Sequence, residues 1–218
     1  NIRNGAERIY AGKVGGGKQT PQDDINALLI DRARKGKLVV RLKGGDPFLF
    51  GRGGEEGQAL RAANVPFEFV PGVSSALAVP AYAGIPVTHR GLSRSVAIVT
   101  AAQARNDDVS AQIERAASAD TIVILMGLSH LRRIGEQLIA VGRAPETPVA
   151  VIRWGTYETQ QTITATLDDV ADRVEQEGLS APVVIVVGEV VRLRDELNWF
   201  EKGIAQLSED LQCEEVCA

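Results

Sequence analysis

Short, unbroken apolar runs alternate with helical patterns along almost the whole chain, and this alternation constrains the fold more than any other feature. Predicted strands are Arg8–Ala11, Leu38–Leu42, Phe67–Val70, Ser95–Thr100, Thr121–Met126, Val149–Ile152, Thr162–Thr166 and Val183–Val187. Predicted helices are Pro21–Arg34, Glu55–Ala63, Ser74–Ala83, Ser110–Ala117, Leu131–Val141 and Leu167–Glu177. A run such as TIVIL or VVIVV has no polar side, so both faces of such a strand must be covered. Helices between strands supply that cover, which implies an α/β fold. Thr20-Pro21 reads as a helix start, with Thr20 as N-cap, proline at the first position and Asp23 in the first turn. Pro86–Arg94 is polar and turn-rich, so the chain is expected to divide into two α/β domains, 1–90 and 91–218.

With 218 residues and 44% hydrophobic content the chain can bury a sizeable core. A net charge of −4 argues against general nucleic-acid affinity. No run of about 18 apolar residues suggests a membrane span, and the first residues lack a signal-peptide pattern. Cys213 and Cys217, both in an acidic tail, have no matching His or Cys set, so they make a poor metal site. They read instead as reduced thiols of a cytoplasmic protein. His89 and His130 are isolated in sequence, and no metal is expected.

Two segments are dense in binding features. In VVRLKGGDPFLFGRGG (39–54) a β-branched run feeds into Gly44-Gly45-Asp46-Pro47, and Gly51, Gly53 and Gly54 follow. Glycines at a strand end let backbone approach a ligand closely, and the carboxyl end of a strand is where open α/β sheets bind small molecules. Asp46 adds an acceptor, and Arg52, Glu55 and Glu56 place both signs of charge beside the loop. A tight glycine-rich turn with no ligand is the competing reading. In VPGVSSALAVPAYAGIPVTHR (70–90), Ser74-Ser75 opens a small-residue helix that ends at Gly84. At least one of these serines is expected to cap it, while its free N–H groups also suit polar ligands.

GKVGGGKQ (12–19) nearly matches a phosphate loop, but Gln19 stands where a magnesium-binding hydroxyl is required, so nucleotide hydrolysis is disfavoured. Met126-Gly127 and Gly155-Thr156 each follow a strand. Met126 is the sole methionine, and filling a core gap is the competing reading for it. Val190, Val191, Leu193, Leu197, Trp199 and Phe200 crowd near one end, and apolar residues this dense suggest a covered partner surface.

RLKGGDPFLFGRGGEE, VPGVSSALAVPAYAGIPVTHR, LMGL (125–128) and PVVIVVGEVVRLRDELNWF (182–200) together resemble the S-adenosylmethionine-dependent uroporphyrinogen-III C-methyltransferases. These are tetrapyrrole methylases that occur alone or as the C-terminal half of sirohaem synthases, and the similarity runs from about Glu7 to Phe200. The resemblance implies two unlike α/β domains with the cofactor in the cleft between them. It also implies a homodimer and a preceding strand with a GxGxGD loop, after which this sequence opens. Gly44, Gly45, Asp46, Leu49, Ser74, Ser75, Met126 and Gly155 map onto the family's positions for S-adenosyl-L-methionine or its product S-adenosyl-L-homocysteine. Arg52, Glu55 and Arg90 map onto its substrate and proton-handling positions, and Lys13 onto its proton donor.

Competing readings accompany several of these residues. Lys13 would otherwise be a solvated surface lysine. Val14 stands where the family has arginine. Glu55 would either orient Arg52, handle a proton, or simply favour the helix macrodipole. By resemblance, uroporphyrinogen III would be methylated at C-2 and C-7 to precorrin-2, for sirohaem or cobalamin synthesis. Two alternatives stay open. One is another tetrapyrrole methylase, which THR and FGRGGEE disfavour. The other is a cofactor-binding protein that keeps the fold without turnover because the first loop lies outside the sequence.

Overall fold

The computed structural model describes residues 2–12, 20–101, 106–201 and 203–204, with backbone only for 106–109. It comprises two compact units, Asn1–Gly72 and Val73–Ala218. The division expected at residue 90 falls inside the second unit, because the segment from Ser74 onward belongs with the sheet that follows it.

The first unit carries helices α1 (Gln22–Arg34) and α2 (Gly53–Ala62), which pack on each other. The cap of α1 sits one residue later than the sequence suggests. Pro21 has extended backbone (ψ 147°) and is itself the N-cap, with no side-chain cap bond, and Asp23 and Asp24 occupy the first turn. The three strands predicted here, at 8–11, 38–42 and 67–70, form no ladder. A strand exists only when its N–H and C=O groups find a neighbouring strand, and these segments have none among the described residues. Their alternation survives, however. Leu38, Val40 and Leu42 are 96%, 79% and 79% exposed, while Arg41 and Lys43 on the other side reach Glu56.

The second unit forms all five of its predicted strands. β1 (Val96–Thr100), β2 (Thr121–Leu125), β3 (Pro148–Arg153), β4 (Gln161–Thr166) and β5 (Val183–Val187) make one sheet in the order β1-β2-β5-β3-β4. β1 and β2 are parallel, and every other neighbouring pair is antiparallel. Helices α3 (Ser75–Tyr82), α4 (Asn106–Ala116), α5 (Leu131–Ala140), α6 (Val170–Gln176) and α7 (Arg194–Leu197) complete the unit. Ile122, Ile124, Val149, Val151 and Ile185 form a core with Ile134 and Leu138 of α5 and Val170 and Val174 of α6. The alternate residues Val123, Ala150, Ile152, Val184 and Val186 are just as buried. α3 packs on β2 and β5, and the 3-10 turn Glu189–Leu193 packs on β3 and β5. Both faces of the central strands are therefore covered, as their unbroken apolar sequences require.

Val190 and Val191 are buried within this unit, which corrects their expected place on a partner surface. The 3-10 turn folds them back onto the chain's own sheet. Leu197 and Trp199 remain exposed.

Candidate functional site

In the first unit the loop after residue 43 closes on its own backbone. Asp46 Oδ1 accepts from the N–H groups of Phe48 (2.8 Å) and Leu49 (3.1 Å), and Oδ2 accepts from Gly72 N–H (3.2 Å). These bonds, that from Gly72 foremost, hold the Asp46 carboxyl below the usual carboxylate range. Gly72 lies so close to the loop that a Cβ there would stand 2.6 Å from Gly45 O. Both oxygens of Asp46 thus brace the loop, and a ligand would share an acceptor that is already occupied.

Arg52 is the N-cap of α2 in a left-handed conformation (φ 60°). Its Nε and Nη2 donate to the two Glu55 oxygens at 2.8 and 2.6 Å. This fork fixes the plane of the guanidinium. One position further on, Glu56 is only 4% exposed. Its carboxylate accepts from Gln22 Nε2 (3.2 Å), Arg41 Nε (3.2 Å) and Lys43 Nζ (2.8 Å). Burial pushes this carboxyl up, but Lys43, the Gln22 hydrogen bond and Arg41 outweigh burial and hold it below its ordinary value. Lys43 directly precedes Gly44, so the buried pair anchors the start of the glycine loop.

In the second unit Thr100 pairs with Leu125, and both Leu125 and Ile152 pair with Val184, so β1, β2 and β3 end level. β2 and β3 are each antiparallel to β5 between them, which puts all three carboxyl ends on one edge. Met126 (φ 56°), Trp154 (φ 49°) and Thr156 (φ 74°) all take left-handed backbone along that edge. Such residues are uncommon and gather at functional turns. Met126 is half-exposed rather than a core filler. A Cβ on Gly155 would stand 2.4 Å from Val79 Cγ1, so α3 presses directly on this turn. Ser75 lies one helical turn, about 6 Å along α3, from Val79. Ser74 is the N-cap, its Oγ accepting from Ala76 N–H at 3.2 Å.

The predicted residues fall into groups. Gly44, Gly45, Asp46 and Leu49 lie in the loop of the first unit, with Arg52 as the N-cap and Glu55 in the first turn of α2 that follows it. Ser74, Ser75, Met126 and Gly155 belong to α3 and the sheet edge of the second. Arg90 is exposed at the tip of a turn that His89 and Ser93 close with paired backbone bonds of 3.0 and 2.9 Å. Lys13 lies outside the described residues. Among the described residues no group of three or more His, Cys, Asp or Glu could hold a metal ion, and no helix is long and apolar enough to cross a membrane.

The sequence placed Glu56 beside the loop but not its burial or its bonds to Gln22, Arg41 and Lys43, and it gave no sign of Gln160 or Glu201. Gln160 and Glu201 meet at 2.8 Å across 41 residues of chain, and no local pattern announces such a pair.

The model of the Tetrapyrrole (Corrin/Porphyrin) Methylases matches residues 5–171. The chain belongs to the tetrapyrrole methylase family. It is 49% identical over 199 residues to a sirohaem synthase of Stutzerimonas stutzeri, a match covering 91% of this chain and 43% of that protein. It is 43% identical over 209 residues to the uroporphyrinogen-III C-methyltransferase of Bacillus subtilis, covering 94% of this chain and 81% of that one. Among solved structures it is similar to uroporphyrin-III C-methyltransferase from Thermus thermophilus in complex with S-adenosylhomocysteine. That likeness has a TM-score of 0.71 and 36% identity, and covers 87% of this chain and 80% of the other. The chain spans less than half the length of the Stutzerimonas synthase.

Proposed function

We propose that this chain is the methyl-transferring part of a uroporphyrinogen-III C-methyltransferase. It would use S-adenosyl-L-methionine to methylate C-2 and then C-7, giving precorrin-2 for sirohaem or cobalamin synthesis. What carries the reading is the gathering of Met126, the strained Trp154–Thr156 turn and Gly155 at one carboxyl edge. It occurs in a chain 43% identical, over nearly its whole length, to a protein of that activity.

The residues suit such a cofactor. Gly44 is exposed, with nothing among the described residues within 4 Å of a Cβ added there, so the backbone at this position is open to approach. Gly45, Asp46 and Leu49 hold the shape of that loop, while Ser74, Ser75, Met126 and Gly155 form the wall assigned to the second unit. When bound, the cofactor supplies a sulfonium methyl that an electron-rich pyrrole carbon attacks in line. The protein's part is to position and to exclude water. Arg52, oriented by Glu55, and Arg90 bind substrate carboxylates through guanidinium forks. Lys13 is assigned the proton donor's role, and Glu55 stands beside Arg52 as a second proton-handling group. We assign the protein to the cytoplasm, as a two-fold dimer in which exposed Leu197 and Trp199 meet a partner surface.

Isotope-labelled S-adenosylmethionine tests the reading. Two labelled methyl groups should appear on each uroporphyrinogen III, and calorimetry should show S-adenosylhomocysteine binding. Cofactor binding without transfer favours the binding-protein alternative, and transfer only to a later precorrin favours a different family activity. No binding at millimolar cofactor ends the reading. Light scattering should return twice the chain mass at micromolar concentration, and a monomer mass would remove the dimer from it.

A further inference from the structure

One carboxylate in the second unit ties together segments that lie far apart in sequence. Glu201 Oε1 accepts from Thr162 Oγ1 at 2.6 Å and from Gln160 Nε2 at 2.8 Å, and Oε2 accepts from Arg194 Nη2. Gln160 is 8% exposed, and its Oε1 accepts from the Thr156 backbone N–H at 2.9 Å. The order of donors and acceptors in this chain has only one consistent direction. A carboxylate accepts and cannot donate, so it favours the orientation of Gln160 that points Nε2 toward it, and the Tyr82 carbonyl, a longer contact at 3.4 Å from the same nitrogen, favours that orientation too. The opposite face of the amide is then an acceptor, as the Thr156 N–H requires. With the amide reversed, two oxygens would face each other at one end and two N–H groups at the other.

The turn at the end of this relay does not hold its own shape cheaply. Trp154 and Thr156 are non-glycine residues with φ of 49° and 74°, and each left-handed residue costs on the order of 1–2 kcal/mol. Arg194 makes a second link, its Nη1 donating to Ala83 O at 2.7 Å, at the end of α3. The same helix presses Val79 onto Gly155.

We propose that Glu201 is a positioning residue for the Trp154–Thr156 turn, acting through the orientation it imposes on Gln160. Its effect on cofactor affinity rests on the reading of Gly155 as part of the cofactor wall. Its effect on the turn does not. If Glu201 served only to fasten the C-terminal segment, its removal would loosen that segment and leave Thr156 alone.

The test uses the full chain as Glu201→Gln, Gln160→Ala and the double variant, with amide hydrogen exchange and calorimetry against S-adenosylhomocysteine. Glu201→Gln and Gln160→Ala should each speed exchange of the Thr156 amide by up to about tenfold, the factor for the one neutral hydrogen bond it makes to Gln160. The Val151 amide in the centre of β3 should keep its protection. Cofactor affinity should fall by a similar factor in each single variant, and the double variant should lose no more than the weaker single. Unchanged Thr156 exchange in Glu201→Gln overturns the proposal. So does equal acceleration at Val151, which marks general loosening, or losses that multiply in the double variant. If Thr156 responds as expected while even the unaltered chain binds no S-adenosylhomocysteine, the positioning stands and the cofactor reading falls.

Discussion

Gly155 and Val79 occupy adjoining space so closely that a single added carbon at residue 155 would lie 2.4 Å from Val79 Cγ1. The helix that opens with Ser74 and the turn that follows β3 are thus set against each other by the absence of one side chain. Gly155→Ala should destabilise the protein by about 1–3 kcal/mol, the cost of an overpacked contact. Val79→Ala in the same chain should recover only part of that, since it removes Cγ1 and Cγ2 but leaves Cβ, 2.8 Å from the added carbon. Urea denaturation of the two singles and the double checks this, and strictly additive losses would show that the pair is not in conflict.

Glu56 governs a pH dependence whose sign is set by its depressed pKa. A carboxyl held below its ordinary 4.5 in the folded protein binds its proton more weakly there than in the unfolded chain. Its contribution is therefore fully present above pH 4.5 and is lost as pH falls through the folded value. Glu56→Gln should cost roughly 1–3 kcal/mol at neutral pH. This is below the 3–5 kcal/mol for a fully buried pair, because Arg41 reaches solvent. The acid limb of the stability curve should flatten in the variant. An unchanged limb would mean that another carboxylate carries the dependence.

Arg52 separates substrate anchoring from cofactor binding. Arg52→Ala should weaken uroporphyrinogen III binding by about ten- to a hundredfold, one charge-assisted pair, and leave S-adenosylhomocysteine affinity nearly intact. Arg52→Lys should recover only part, since an ammonium cannot reproduce the fork that Glu55 orients. Loss of cofactor affinity with tetrapyrrole affinity kept would reverse the assignment. Arg90→Ala should behave as Arg52→Ala does.

Gly72→Ala acts where no side chain can yield. The added carbon would meet Gly45 O, a backbone atom, at 2.6 Å. The glycine loop must then open, and the Gly72 N–H must leave Asp46 Oδ2. Affinity for S-adenosylhomocysteine should fall at least about tenfold, on the order of one such hydrogen bond, while the β-sheet of the second unit keeps its exchange protection. Retained affinity would show that the loop's closure is not what the cofactor needs.

Much of this molecule was legible in sequence wherever local chemistry and tertiary packing agree. TIVIL and VVIVV have no polar face and became strands buried on both sides. Ser74 caps its helix because a hydroxyl there meets a free N–H whatever lies beyond. Leu38–Leu42 alternates like a strand but forms none, since a ladder needs a neighbour that the segment itself does not contain. Val190 and Val191 looked like surface for a partner and instead cover the chain's own sheet.

The element types of the second unit and the glycine loop were set by local composition, through the periods of apolar residues and the turns that only small residues make. The strand order, with antiparallel β5 between β2 and β3, was decided by tertiary packing, because pairing depends on which apolar faces can be covered together. The same holds for the relay from Glu201 through Gln160 to Thr156. Its partners are fixed by donor and acceptor geometry across 41 and 4 residues of chain, and such geometry exists only once the distant segments have met.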